Sequence, residues 1–164
     1  MQKAIYNLAL CLTLLVSVTA SAQQVSWKSK VEPIEGDTYR IVLEAVIPDG
    51  YHMYDMGPYT DGPNATVIEF IPGRGVSLEG EIVSSPEPHR YFNEIYGMQI
   101  GTYSNRVRFT QRVRLLVPQA LVRARIEWMI CNDQSCMPPE DTELNIPVPP
   151  RPATTKTAGA TRPK

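Results

Sequence analysis

The sequence predicts an all-β protein, an antiparallel β-sandwich of the immunoglobulin-like type. Apolar and polar residues alternate with a period of two in several stretches, and no stretch of ten residues shows the 3.6-residue period of a helix. The 15 prolines and 10 glycines of the chain also disfavour helices and mark turns. Seven or eight short strands separated by such turns are typical of a sandwich, and a small barrel is the alternative.

The predicted strands begin at residue 25 and continue to residue 146. They cover residues 25–31, 38–47, 65–71, 76–83, 107–117, 122–130 and 142–146, with turn signals such as Pro48-Asp49-Gly50 between them. In 107–117 arginines alternate with apolar residues, and we interpret them as a solvated face of the sheet. In 122–130 the even-numbered residues are apolar. This register places Cys131 on the opposite face at the strand end, where a partner could reach it.

The two ends of the chain are interpreted as segments outside the domain. Residues 1–22 have the pattern of a cleaved secretory signal peptide: Lys3, a mostly apolar stretch, and Ala20-Ser21-Ala22 before the cut. An uncleaved anchor is the alternative. Residues 149–164 are rich in Pro, Thr and Lys and are expected to form a disordered tail. We therefore predict one soluble domain over residues 23–148, exported to the bacterial periplasm, where disulfides form and persist.

The composition limits the choice of partners. A formal net charge of −1 gives no reason to expect a nucleic acid or a membrane surface as a partner. The sequence has no Ser-His-Asp spacing, no glycine-rich phosphate loop and no zinc-type cysteine set. Five methionines, with His52 and the thiols, could offer the soft ligands of a copper site. We interpret those methionines as packing residues instead, and expect no metal, no cofactor and a monomer.

Cys131 and Cys136 are the two cysteines of the predicted domain, since Cys11 lies in the leader. Four residues separate them, which allows a disulfide if the chain turns back. So short a loop contributes only about 2 kcal/mol to stability. The bridge is therefore either a redox centre or a clamp on a turn, and the residues alone leave both open. Acidic neighbours such as Asp133, and the lack of a predicted helix N-terminus, suggest that neither thiol is a strong nucleophile by itself.

Three separated segments carry a resemblance to a known family. They are Cys131-Asn132-Asp133-Gln134-Ser135-Cys136 followed by Met137-Pro138-Pro139-Glu140, then Asn93-Glu94-Ile95-Tyr96-Gly97, and Asp49-Gly50-Tyr51-His52-Met53-Tyr54. In these segments, and in their order along the chain, the sequence resembles the periplasmic N-terminal domain of the thiol:disulfide interchange protein DsbD. The second segment is similar to that family's cap loop, and the third to a segment that lines its active site.

The resemblance implies an immunoglobulin-like domain with protein-disulfide reductase activity. Such a domain takes electrons from a thioredoxin-like donor, which a membrane transporter keeps reduced. It passes them to oxidised periplasmic proteins such as disulfide isomerases and cytochrome c maturation factors. Cys131 and Cys136 would be the redox pair, Ile95 the cap residue that shields the disulfide, and Tyr54 a residue packed at the site. The remaining site residues implied are Asn93, Glu94, Tyr96, Gly97, His52 and Pro138.

The chain departs from the family pattern at several points. It has four residues between the cysteines rather than five, and an isoleucine, Ile95, at the aromatic cap position. His52 takes the place of a tyrosine, and a histidine beside the disulfide would make exchange pH-sensitive. The sequence lacks the membrane and thioredoxin-like domains, so the donor is expected to act in trans. The alternative function is a non-catalytic immunoglobulin-like binding module with a structural disulfide.

Overall fold

The computed structural model describes residues 24–150, and this part of the chain forms eleven β-strands and no helix. The strands are β1 (Ser26–Glu35), β2 (Thr38–Val46), β3 (His52–Tyr54), β4 (Val67–Pro72), β5 (Val76–Ser85), β6 (His89–Asn93), β7 (Met98–Ser104), β8 (Arg106–Leu115), β9 (Ala120–Trp128), β10 (Ile130–Cys131) and β11 (Glu140–Val148). Their pairings are antiparallel. The predicted all-β, antiparallel fold class is confirmed.

Three sheets share one apolar core. Their strand orders are β1-β2-β8-β5, β11-β9-β4 and β10-β3-β7-β6. The first two sheets bury the apolar positions that alternate along β2, β8 and β9, for example Leu43, Phe109 and Ile126, each 0% exposed. Trp27 bridges them, since its ring centroid lies 6.0 Å from that of Phe109 and 5.5 Å from that of Trp128. The alternation in the sequence thus predicts the two faces that make the sandwich.

The outer faces of the sheets carry the arginines. Arg108 Nε lies 2.8 Å from Glu44 Oε2, and Arg125 Nη1 lies 3.3 Å from Glu69 Oε2. The two arginine side chains are 57% and 51% exposed, so solvent screens the pairs and each contributes little to stability. The arginines form the solvated face predicted from the sequence.

The third sheet is the part that sequence periodicity did not predict. Four of its residues in β7, Ile100 through Tyr103, are buried in succession, because both faces of this strand are covered. A strand covered on both faces has no alternation of apolar and polar residues. The predicted strand over 122–130 also ends early: β9 stops at Trp128, and Ile130–Cys131 crosses to the third sheet as β10.

The ladder between β9 and β11 begins at the pair Trp128 and Glu140 and continues to Ala120 and Val148. Residues 129–139, which include both cysteines, therefore form the connection between two paired strands. The predicted leader, residues 1–22, and most of the predicted tail lie outside the described residues. Within residues 24–150 no helix is long and apolar enough to cross a membrane.

Candidate redox site

Cys131 and Cys136 are joined by a disulfide at the tip of this connection. The turn between them is stabilised by Asn132, whose Oδ1 accepts hydrogen bonds from the backbone N–H of Gln134 at 2.9 Å and of Ser135 at 2.8 Å. Asparagine favours such turns because its side chain bonds to the backbone two residues further along the chain. The backbone N–H of Asn132 also donates to the carbonyl of Ser135 at 2.9 Å. The turn thus has hydrogen bonds of its own in addition to the disulfide.

The third sheet determines which way Cys131 faces. Cys131 is paired with His52 of β3, and directly paired residues project from the same face of a sheet. Tyr54 lies two residues along from His52 and shares that face. Cys131, Tyr54 and Ile100 form a second buried cluster, separate from the main core. The side chains packed around this second cluster are Tyr59, Tyr91, Met98 and Met129.

The two cysteines differ in exposure. Cys131 is only 2% exposed, whereas Cys136 is exposed. The expected register is confirmed, because Cys131 belongs to the second cluster and not to the main core. The expectation that a partner could reach Cys131 is wrong, since a loop and neighbouring side chains cover that face. The accessible cysteine of the pair is Cys136.

The segment 93–97 forms the turn between β6 and β7. Asn93 Oδ1 accepts hydrogen bonds from the backbone N–H of Ile95 at 3.0 Å and of Tyr96 at 3.2 Å. Gly97 closes the turn with a φ of 63°, a conformation that favours glycine. Glu94 is exposed, and Ile95 is 89% exposed. A side chain with that exposure covers little of the protein, so this structure does not place Ile95 as a shield over the disulfide.

Tyr96 is the residue of this turn that influences the site. Burial raises the pKa of Tyr54, and the nearby hydroxyls of Tyr96 and Tyr91 raise it further. Tyr96 itself is half-buried. The hairpin between β6 and β7 therefore contributes aromatic side chains to the surroundings of the second cluster, while its isoleucine points to solvent.

A family model matches most of the chain. The model describes the N-terminal part of the thiol:disulfide interchange protein DsbD, and it matches residues 19–147. The chain belongs to this family. The match confirms the resemblance found in the three sequence segments. No curated protein matches the sequence.

Two solved structures were found to be similar to this chain. The N-terminal periplasmic domain of ScsB from Proteus mirabilis has a TM-score of 0.53 at 16% identity, covering 77% of this chain and 47% of that one. The chain thus spans about half the length of the ScsB structure. The reduced N-terminal domain of Neisseria meningitidis DsbD has a TM-score of 0.44 at 17% identity, covering 76% and 90% of the two chains. The ScsB comparison supports the fold.

His52 lies beside the disulfide in this DsbD-family domain. Its ring meets that of Tyr54 edge to face, with centroids 5.5 Å apart. Burial lowers the pKa of His52 below its ordinary value of 6.5, and the charge of Asp133 opposes this effect. His52 is therefore neutral over more of the pH range than a free histidine. Pro138, on the exit of the turn, is exposed.

A segment that we name the cover loop (residues 55–66, between β3 and β4) was not predicted to be part of the site. Tyr59 packs against the second cluster. The amide of Asn64 lies 3.8 Å from the sulfur of Met129. A Cβ atom on Gly62 would lie 2.9 Å from the sulfur of Met98, so the loop backbone runs close over β7. The cover loop therefore lies on the face of the DsbD-type sheet that carries Cys131.

Asp55, at the start of the cover loop, is a buried carboxylate that the sequence analysis missed. It is 2% exposed and forms an ion pair with Arg90. The available signal was Gly101, because a glycine inside a strand often marks a close approach of another group. A Cβ atom on Gly101 would lie 2.8 Å from Cγ of Asp55.

The methionines occupy packing positions in the described part of the chain. Met53 is buried in the main core, Met56 and Met137 pack against it, and Met98 and Met129 pack against the second cluster. Within residues 24–150 no group of three or more His, Cys, Asp or Glu side chains is arranged to hold a metal ion.

Proposed function

We propose that this chain carries out thiol:disulfide interchange in the periplasm through the Cys131–Cys136 pair. In this proposal it accepts two electrons from a thioredoxin-like donor in trans, which a membrane transporter reduces. It passes them to oxidised periplasmic proteins, including those of disulfide isomerisation or cytochrome c maturation. The main support is a disulfide with one buried and one exposed cysteine in a domain of the DsbD family. The predicted leader, and a similar ScsB domain described as periplasmic, support the location.

The difference in exposure suggests the order of the exchange. A donor thiolate attacks Sγ of Cys136, a bond forms between those sulfurs, and the Cys131–Cys136 bond breaks. Cys131 leaves as a thiolate and takes up a proton. The second thiol of the same donor then attacks the donor sulfur that is bonded to Cys136. This releases reduced Cys136 and leaves the donor with a disulfide. Two electrons and two protons have then passed from the donor to this chain.

The second half of the cycle runs in the opposite direction. The Cys136 thiolate attacks the disulfide of an oxidised acceptor and forms a new mixed disulfide with one acceptor sulfur. Cys131 then attacks Sγ of Cys136, restores the internal disulfide and releases the reduced acceptor. The turn that Asn132 stabilises keeps the two cysteines adjacent for this second step.

The reduction potential of the pair is the first test. The purified protein is equilibrated with graded thiol buffers, and the oxidised fraction is read by mass spectrometry. A potential between about −120 and −270 mV, the range of known exchange proteins, supports the proposal. A value well below about −300 mV contradicts it and favours a binding module with a structural bridge.

Trapping with single-cysteine variants tests the assigned order. Cys131→Ser keeps the exposed cysteine. The probe is a thioredoxin-like protein that retains only its attacking cysteine, and this cysteine is first activated as a disulfide with a small thiol. The Cys136 thiolate should displace the small thiol and form a mixed disulfide with the probe. Cys136→Ser keeps the buried cysteine and is the matched control, which should form little adduct. Equal adduct in both variants would refute the assignment of Cys136 as the sulfur that meets partners.

A further inference from the structure

Asp55 connects three separate segments around the second cluster. Its Oδ1 accepts hydrogen bonds from the backbone N–H of Gly57 at 3.0 Å and from the hydroxyl of Tyr59. Its Oδ2 lies 3.2 Å from Nη2 of Arg90 on β6. The Tyr59 hydroxyl in turn accepts a hydrogen bond from the backbone N–H of Gly101 on β7 at 2.7 Å. One buried carboxylate thus joins the cover loop to both strands of the hairpin that ends in residues 93–97.

The backbone beside Asp55 reinforces this connection. Its N–H donates to the carbonyl of Gly101 at 2.9 Å, and its carbonyl accepts from the N–H of Thr66 at 3.0 Å. The Thr66 hydroxyl donates to the carbonyl of Tyr54 at 2.6 Å. The two ends of the cover loop, Asp55 and Thr66, are therefore bound to each other, and Asp55 is also bound to β7. Between these ends, Tyr59 is the side chain that links the loop to the carboxylate.

Tyr59 serves both the network and the second cluster. Its ring packs against the cluster that contains Cys131, while its hydroxyl donates to Asp55. Burial, followed by the hydrogen bond to Asp55, raises the pKa of Tyr59 to about 12, so the hydroxyl keeps its proton and remains a donor at neutral pH. Displacing the Asp55 carboxylate would therefore release the ring that lies over the cluster of Cys131.

We propose that Asp55 is a positioning residue for the redox pair: through Tyr59 and Arg90 it holds the cover loop over Cys131. This inference rests on the proposed function, because the closed loop would explain why thiol:disulfide exchange takes place at Cys136. A closed cover loop leaves Cys136 as the sulfur that thiols attack. Release of the loop exposes Cys131 as a second point of attack, so that mixed disulfides form at the wrong sulfur.

The experiment measures alkylation of each cysteine by iodoacetamide in chemically reduced protein, followed by peptide mass spectrometry. None of the hydrogen bonds of Asp55 involves Cys131 or Cys136, so the network is expected to persist after reduction. Asp55→Asn removes the charge that pairs with Arg90, and Tyr59→Phe removes only the hydroxyl. Each variant should raise the alkylation rate of Cys131 by about tenfold, since a lost hydrogen bond to a charged group favours local opening by that order. The rate at Cys136 should not change.

Arg125→Gln is the matched control, because it breaks an exposed ion pair with Glu69. Both residues lie on the β11-β9-β4 sheet, which does not include Cys131. This variant should leave both rates unchanged. Urea unfolding of each variant separates opening of the loop from general loss of stability. The proposal is overturned if Cys131 reacts as in the wild type in both Asp55→Asn and Tyr59→Phe, or if its faster reaction follows global unfolding alone. No redox partner is present in this alkylation experiment. If the disulfide proves to be structural, the proposed function fails, but the expected alkylation rates of Cys131 in the variants stay the same.

Discussion

Reduction of the Cys131–Cys136 bridge should cost the fold little stability. The bridge closes a loop with a sequence separation of only 5. For a closed loop of that size, the chain-entropy model gives a stabilisation of about 2 kcal/mol. The turn also has the hydrogen bonds from Gln134 and Ser135 to Asn132, which do not depend on the disulfide. We therefore expect the reduced protein to remain folded, with a free energy of unfolding about 2 kcal/mol below that of the oxidised protein.

The same free energy links folding to the reduction potential. The free energy by which the bridge stabilises the fold equals the free energy by which folding stabilises the bridge. For a two-electron couple, 30 mV corresponds to about 1.4 kcal/mol. The fold should therefore lower the potential of the pair by only about 40 to 50 mV relative to the unfolded chain. Urea titrations of the oxidised protein, and of the protein in excess reductant, measure the difference. A difference above about 4 kcal/mol would refute the reasoning, because the bridge would then have the stabilising effect expected for a much longer loop.

Three further predictions concern single side chains. Ile95→Ala should leave the rate of reduction by a small thiol within about twofold of the wild-type rate, since an exposed apolar side chain contributes little to packing; this side chain is 89% exposed. A marked increase in the reduction rate of Ile95→Ala, measured by stopped flow, would show that Ile95 does shield the disulfide. Gly101→Ala should lower the free energy of unfolding by about 2 kcal/mol or more, because overpacking a buried site forces neighbours to move. Its Cβ atom would lie 2.8 Å from Cγ of Asp55. Urea titration checks this, and unchanged stability would contradict the close packing at Gly101. His52 should make the free energy of unfolding depend on pH, because burial lowers the pKa of His52 below 6.5 in the folded protein. The contribution of His52 to the free energy of unfolding is complete above pH 6.5 and is lost as the pH falls through the lowered pKa. Unfolding at a series of pH values should show this slope in the wild type and a weaker one in His52→Gln, and equal slopes would contradict it.

The sequence predicted the strands that have one face in the core and one in solvent. In β8 and β9, alternation of residues such as Val113 with Arg114 made both the strand and its orientation readable. It did not predict the third sheet. In β3 and β7, neighbouring residues such as Met53 and Tyr54 are both buried, one against each cluster, and the alternation disappears. The chain's crossing from one sheet to another at Met129 has no local signal of this kind.

The candidate site was predictable where a short motif indicates it. The cysteine pair followed from the residues, the hairpin 93–97 and the segment that contains His52 followed from the family resemblance, and their roles stay predictions. The exposure of Ile95 and the burial of Cys131 were not predictable, because neither the direction of a side chain in a turn nor the packing of the cover loop on the third sheet has a local pattern in the sequence. Asp55 itself gave no direct signal, since a lone aspartate after a strand resembles a solvated loop residue until its partners on other segments are known. Its indirect signal was Gly101 on β7.

The position of the cysteines at the end of the β9–β11 ladder has a consequence for how this site can evolve. The ladder is complete at Trp128 and Glu140, and the residues from 129 to 139 project beyond it, except Ile130 and Cys131, which pair with β3. A residue gained or lost between the cysteines changes the shape of this projection without shifting the register of either strand. The four intervening residues here, against five in the resembled family, belong to neither buried cluster. The spacing of the cysteine pair can therefore vary between relatives while the sandwich that carries it stays the same.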